Sequence, residues 1–377
     1  MRIWGITGTN GKTTVAWILA DFLGGAYITT VEVNTLKRRF YTGYTTPPLA
    51  QLKEIFAEME SAGAKDCVME VSSHAIHQNR VDFGRTTVFA GGAFTNLSED
   101  HLDYHKTMEE YFRVKLSFAE KIAEGSSTSP SAGRSEFPPF VVCLDGGCAR
   151  QMLEAAGRLR LNVIPVSAAC PRFDLSELKL AGDYNKSNVL VAAALAEAAG
   201  VPHDEIQRKI PLLKPRWGRL ERVENPSTEA EIYVDFAHTP DGLEKVLSAA
   251  RGFTVGRLIA VFGAGGDRDR TKRPLMGAAA EKFADRTILT NDNPRSEDPL
   301  AIINDILSGM KRPGDAAVEP DRRKAIRMAV SEARKGDTVI ICGKGHETTQ
   351  ETAGVKTHFD DREVAREETP TPATTSV

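Results

Sequence analysis

The chain has 377 residues, 41% of them hydrophobic, and a formal net charge of -3. That length and apolar content suffice for two or three domains with sizeable cores, and the near-neutral balance, with no block of basic residues, speaks against a nucleic-acid partner. The apolar runs fall short of the ~20 residues that span a bilayer, and the scattered Cys67, Cys143, Cys148, Cys170 and Cys342 suit neither a disulfide framework nor a zinc site.

Met1 leads directly into an apolar strand at residues 3–7 instead of a basic head and apolar signal body, so a cytoplasmic location without membrane partner is expected. Further strand-like runs at 67–71, 87–94, 140–144, 232–236, 258–262, 287–290 and 338–342 alternate with stretches of helical apolar spacing, among them 15–23, 49–62 and 300–310. This rhythm predicts α/β layers with mainly parallel sheets. A P-loop ATPase domain is expected over 1–217 and a C-terminal Rossmann-like α/β domain over 218–366, with Pro215 and Gly218 interrupting the pattern between them. Residues 124–138, rich in Ser, Pro and Gly, read as a mobile surface loop, and 367–377 as a disordered tail.

Between the first strand and the amphipathic stretch after it lies Gly8-Thr9-Asn10-Gly11-Lys12-Thr13-Thr14. Glycines let backbone N–H groups converge on phosphate oxygens, Lys12 supplies a point charge to the outer phosphates, and the Thr13 hydroxyl suits Mg²⁺. The strict eight-residue pattern is not met, since Ile6 stands where its first Gly would fall. Glu70 ends another strand, where a triphosphate-bound Mg²⁺ needs a hard oxygen ligand. Residues 263–274 form a glycine turn crowded with basic residues, suited to anionic groups or to plain solvation, and Asp292-Asn293-Pro294-Arg295 is a turn by composition.

Gly-Thr-Asn-Gly-Lys-Thr-Thr resembles the ATP loop of the Mur ligases of peptidoglycan synthesis, relatives of the folylpolyglutamate synthases. The resemblance runs to about Arg366 and is strongest to the MurE branch, which adds the third peptide residue to a UDP-muramoyl dipeptide. It implies ATP bound by residues 8–14 with Asn185, Asn188, Arg219, Asp235 and His238. It implies Mg²⁺ held by Thr13, Glu70, the His101 of an Asp-His pair and Lys115 carbamylated by CO₂; by sequence alone Lys115 is one helical lysine. Lys12, Glu70, His101 and Lys115 form the implied catalytic set.

Thr45-Thr46-Pro47 matches the branch's segment that contacts the muramoyl peptide, with Ser73 and Arg80 as further polar and cationic contacts. Arg268, Asp292, Asn293 and Arg295, with Gly343 and Glu347 of Gly-Lys-Gly-His-Glu, are the implied site for the incoming amino acid; the planar fork of Arg295 suits the distal carboxylate of meso-diaminopimelate. The implied reaction makes an acyl phosphate from ATP and the acceptor carboxylate, which the amine then captures. Two departures stand out: the chain starts at the ATP-binding strand, where the branch carries a UDP-gripping domain, and only residues 167–180 separate the strand at 163–166 from Gly182. The acceptor expected from this is a smaller peptide, another carrier, or UDP-muramoyl dipeptide held by a protein partner. A folylpolyglutamate synthase-like glutamate ligase is the second enzyme reading, and a silent nucleotide-binding module of a cell-wall complex the third.

Overall fold

The computed structural model describes residues 1–84, 89–127, 137–215 and 218–367. The chain divides into two compact units: Met1–Ser98 with Tyr104–Lys214, and Pro215–Val377 with Glu99–Asp103.

The first unit is built on an eight-stranded sheet. Its strands in chain order are β1 (Arg2–Thr7), β2 (Ala26–Ile28), β3 (Val33–Asn34), β4 (Arg39–Phe40), β5 (Asp66–Glu70), β6 (Phe89–Phe94), β7 (Pro139–Cys143) and β8 (Asn162–Val166). Their spatial order is β4-β3-β2-β5-β1-β6-β7-β8, parallel from β2 through β8, with β3 and β4 folding back antiparallel at one edge. Successive side chains leave a strand on opposite faces. Ile3, Cys67, Met69, Phe140 and Val142 therefore enter one apolar core, while Trp4, Ile6, Val68 and Val141 enter another. Both faces being covered explains why these strands read as continuous apolar runs.

The helix Lys12–Leu23 lies in the second of those cores beside Asp183–Ala198. The helix Met108–Ser127 packs on the other face, where a Cβ on Gly5 would sit 2.3 Å from Phe118 Cζ. Only a residue without a side chain allows that approach, and it seats the helix bearing Lys115 directly on the central strand. Residues 124–127, expected in a loop, continue this helix. The rest of that loop up to 136, the start of the strand expected at 87–94, residues 216–217 of the expected boundary and residues 368–377 of the tail lie outside the described residues.

In the second unit β9 (Glu221–Val223), β10 (Glu231–Asp235), β11 (Leu258–Phe262), β12 (Arg286–Leu289), β13 (Ala317–Val318) and β14 (Thr338–Cys342) are ordered β13-β12-β11-β14-β10-β9, all parallel except β9. Ile232, Val234, Ile259, Val261, Val339 and Ile341 meet the helix Arg322–Glu332 in one core. A hairpin of β15 (Thr349–Thr352) and β16 (Val355–His358) follows. No helix among the described residues is long and apolar enough to cross a membrane.

Candidate active site

Parallel sheets gather loops at the carboxyl ends of their strands, and ligands bind there. In the first unit the adjacent strands β5, β1 and β6 deliver Glu70, the loop beginning at Gly8, and Thr95 with Asn96. Gly11, at φ 83°, turns the chain into the helix Lys12–Leu23, and a Cβ there would lie 2.4 Å from Asn188 Oδ1. A left-handed conformation and the lack of space both require glycine. Asn10 N–H donates to Asn96 Oδ1 (3.0 Å), while Asn10 O accepts from Thr95 Oγ1 (2.6 Å) and Asn96 Nδ2 (3.0 Å). The loop is thus clamped by the next strand's end before any phosphate arrives. Lys12 Nζ donates to Gly8 O (3.0 Å) and Thr9 O (2.7 Å). Thr13 and Thr14 are buried at the helix start, and Asn188 Nδ2 donates to Asn185 Oδ1 (3.1 Å) in the first turn of the neighbouring helix.

Glu70 is almost completely buried and accepts from Thr30 N–H (2.8 Å) and Thr30 Oγ1 (3.1 Å), whose hydroxyl also reaches Thr45 Oγ1 (3.0 Å). Thr46 Oγ1 donates to Glu70 O (2.8 Å), Arg80 Nη1 donates to Thr46 O (3.0 Å), and Pro47 follows directly. The residues expected at the acceptor are thereby tied to the strand end bearing Glu70. Ser73 Oγ bonds His105 Nε2 (2.9 Å); the His105 ring stacks on Tyr111 (5.1 Å), and Tyr111 Oη meets Thr9 Oγ1 (3.2 Å). Burial, with His74, Lys115 and His77 nearby, pushes His105 down to about 4, so it is neutral at physiological pH. Lys115 is buried, donates from Nζ to Gly8 O (2.8 Å), and stands 4.6 Å from the Tyr111 ring centroid. Sequence reasoning assigned no role to Thr95, His105 or Tyr111; their contacts arise from strand order and helix packing, which no local pattern announces.

His101 belongs to the segment grouped with the second unit, sits at φ 57° and has Nε2 3.3 Å from Asp100 Oδ2. Among the described residues no three His, Cys, Asp or Glu side chains form a metal-binding group. Thr13 and Glu70 supply oxygens of the kind Mg²⁺ takes, one or two from protein beside waters and substrate phosphates.

In the second unit the strand ends of β12, β11, β14 and β10 carry Asp292, the loop at Gly263, Gly343 and Asp235. Asp235 accepts from Leu220 N–H and Ala237 N–H, both at 2.7 Å, and burial raises its pKa above the ordinary value. Arg219 lies 4.9 Å from the Phe236 ring centroid, and the His346 ring lies tilted against that ring with centroids 4.9 Å apart. His238 Nδ1 bonds Phe236 O (2.9 Å), and burial pushes the His238 pKa down; burial also pushes His346 down, to about 3. Arg219, Asp235 and His238 are thus one cluster of this unit.

Asp292, Asn293, Gly343 and Glu347 form a second cluster. Gly343 has φ 113°, and a Cβ there would lie 2.4 Å from Asp292 Oδ2, a buried oxygen with no hydrogen-bond partner among the described residues. Asn293 Nδ2 donates to Glu347 Oε2 (2.9 Å), and so does Lys344 Nζ (2.9 Å). The fully buried Arg322 pairs with Asp361 (2.7 Å) and donates to Cys342 O (2.8 Å) and Asn291 O (3.1 Å), fixing the chain just before Gly343 and Asp292. Arg295, at φ 51°, is bridged to Thr352 and donates from Nη1 to Gly266 O (2.7 Å), with Glu351 at 3.9 Å. The basic turn is not merely solvated: the fully buried Arg273 binds Glu297, Asp305 and Gly265 O. Arg273, with Arg270 beside it, holds the Glu297 carboxyl down at about 2. Arg268 donates to Asp267 O (2.9 Å).

The model of the Mur ligase middle domain matches residues 6–169, and that of the Mur ligase glutamate ligase domain matches 218–345. A UDP-N-acetylmuramoyl-L-alanyl-D-glutamate–2,6-diaminopimelate ligase of Synechococcus elongatus is 40% identical over 97% of this chain and 76% of its own length. The chain belongs to the Mur ligase family. The enzymes of the same name from Solibacter usitatus and Aquifex aeolicus are 42% and 40% identical, each over 97% of the chain and 77% of its own. Among solved structures, one of a ligase with that name aligns with a TM-score of 0.60 at 32% identity, covering 97% of this Mur ligase and 77% of the other chain. A Mycobacterium tuberculosis folylpolyglutamate synthase aligns with a TM-score of 0.62 at 20% identity over 91% and 88%, a likeness of fold.

Proposed function

We propose that the chain is a cytoplasmic, ATP-dependent, ADP-forming ligase of MurE type, joining meso-diaminopimelate to UDP-N-acetylmuramoyl-L-alanyl-D-glutamate. The reading is carried by one conjunction: a chain 40% identical to diaminopimelate-adding enzymes has a clamped phosphate loop in one unit and, in the other, a buried carboxylate oxygen of Asp292 with no hydrogen-bond partner among the described residues. That oxygen faces the Arg322 charge but takes no hydrogen bond among the described residues, and an ammonium group of a diamino acid would supply one. Arg295 supplies the forked cation for its carboxylate.

In the reaction a carboxylate oxygen of the acceptor attacks the γ-phosphorus of ATP, the bond to the β-phosphate oxygen breaks, and ADP leaves. The amine nitrogen of the amino acid then attacks the acyl carbon, the carbon–oxygen bond to phosphate breaks, and the amine gives up a proton. Lys12 would exchange the carbonyls of Gly8 and Thr9 for phosphate oxygens, and the loop N–H groups would steady the transferring charge. Mg²⁺, held by Thr13 and Glu70, would neutralise charge on the phosphates. Thr45, Thr46, Ser73 and Arg80 would orient the acceptor, Asn185, Asn188, Arg219, Asp235 and His238 the nucleotide, and His101 a second ion. Carbamylation of Lys115 would add a carboxylate to Nζ while leaving one N–H able to donate to Gly8 O.

The test omits one component at a time from ATP, Mg²⁺, acceptor and amino acid, and identifies the product by mass. Ligated product is expected only with all four and with meso-diaminopimelate, not with lysine or glutamate; comparing the UDP-linked acceptor with its free dipeptide shows which part of the acceptor is needed. Ligation of glutamate to a folate, or ADP release regardless of acceptor, would contradict the proposal.

A further inference from the structure

Lys344 is the middle residue of the Gly343-Lys344-Gly345 turn, and its side chain is wholly buried. Two of its three donors are accounted for: Nζ donates to Glu347 Oε2 at 2.9 Å and to Asn293 Oδ1 at 3.2 Å. Asn293 Oδ1 also accepts from Glu351 N–H at 2.9 Å, and Asn293 Nδ2 donates to the same Glu347 Oε2 at 2.9 Å.

The consequence is a fixed polarity. Asn293 Oδ1 faces two groups that can only donate, so turning the amide round would set its NH₂ against an ammonium and a backbone N–H. Glu347 Oε2 receives two donors, which leaves Oε1 as the oxygen offered elsewhere, while the amide retains its second N–H. One acceptor and one donor side by side match the ammonium and carboxylate of an amino-acid end. Neither Asn293 nor Glu347 alone dictates this, because an amide can flip and a carboxylate can rotate. The buried ammonium meets both at once, with the Glu351 N–H as a second restraint on the amide.

We propose that Lys344 is a positioning residue of the amino-acid site: it sets the orientation of Asn293 and Glu347 so that Glu347 Oε1 and the free Asn293 N–H present a matched pair to the ligand's zwitterionic end. This inference rests on the reading of residues 292–295 and 343–347 as the amino-acid site. A lysine that only neutralised a buried carboxylate would matter to stability and not to one substrate in particular.

The experiment compares wild type, Lys344→Met, Glu347→Gln and the double variant, with KM for meso-diaminopimelate, ATP and acceptor measured separately and thermal unfolding recorded for each. Lys344→Met is expected to raise KM for meso-diaminopimelate roughly 10-fold or more, the size of a lost bond to a charged group, with KM for ATP changed less than about 2-fold. The double variant should be little worse than the worse single, because the lysine acts through the glutamate. A lowered unfolding temperature with an unchanged KM for meso-diaminopimelate, or losses that multiply in the double variant, would overturn the proposal. If Glu347→Gln itself leaves that KM untouched, the assignment of the amino-acid site fails instead. Should Lys344→Met not fold, Lys344→Gln, which keeps a donor, takes its place in the same measurements, with the same results supporting or overturning the proposal.

Discussion

The two ligand-binding regions are built by opposite means. The phosphate loop of the first unit is a contiguous run of seven residues, shaped by its own glycines and clamped by Thr95 and Asn96 of the neighbouring strand. The region proposed for the amino acid in the second unit is assembled from residues 263–273, 292–295 and 343–351, and buried charged side chains hold it: Arg273 with Glu297, Arg322 with Asp361, Lys344 with Glu347. Backbone N–H groups with one lysine can hold a phosphate, whose charge is diffuse. Recognising one amino acid among several needs side chains held at fixed angles, and each buried charge then needs a partner.

That contrast can be broken by mutation. Arg273→Met should cost about 3 kcal/mol of stability, the low end for a broken buried pair, because Glu297 loses its buried partner but keeps Arg270; urea unfolding measures it, and a loss below about 1 kcal/mol would show that the turn holds itself. Lys12→Ala should slow phosphate release about 10²–10³-fold, the scale of one preorganised charge contact, with a smaller effect on unfolding, since it removes the bonds to Gly8 O and Thr9 O but keeps the clamps from Thr95 and Asn96. Arg295→Ala should raise KM for meso-diaminopimelate roughly 10-fold or more while leaving KM for ATP nearly unchanged; equal rises would detach Arg295 from the amino acid. The smallest effect concerns pH. Glu297 is held at about 2 against an ordinary 4.5, so its contribution is fully present above 4.5 and is lost as pH falls toward 2. Unfolding midpoints measured across that interval should fall less steeply in Glu297→Gln than in wild type.

The same contrast explains what the sequence discloses. The phosphate loop was legible because its chemistry is local, and the central strands because two-sided burial leaves continuous apolar runs. The helix expected at 15–23 in fact starts at Lys12, since the loop's last residues are also the helix's first turn. Strands β2, β3 and β4, two or three residues each, are too short to show a period. The β15–β16 hairpin turns through Ala353 and Gly354, both at positive φ, without the Asn-Gly signal that usually marks such a turn. Motif resemblance singles out Asp292, Asn293 and Glu347, but it leaves Lys344 unremarked inside one of those motifs. A lysine reads as a solvated cation until the fold shows it buried, and the stacking of His105 on Tyr111 likewise depends on packing that no spacing rule contains.

The central claim is that the acceptor carboxylate takes the γ-phosphoryl group before the amine reacts. Acceptor labelled with ¹⁸O in that carboxylate, turned over with ATP and meso-diaminopimelate, should yield inorganic phosphate carrying one labelled oxygen, with ADP unlabelled. Phosphate without label in the presence of ligated product, or label in a nucleotide monophosphate, would contradict it.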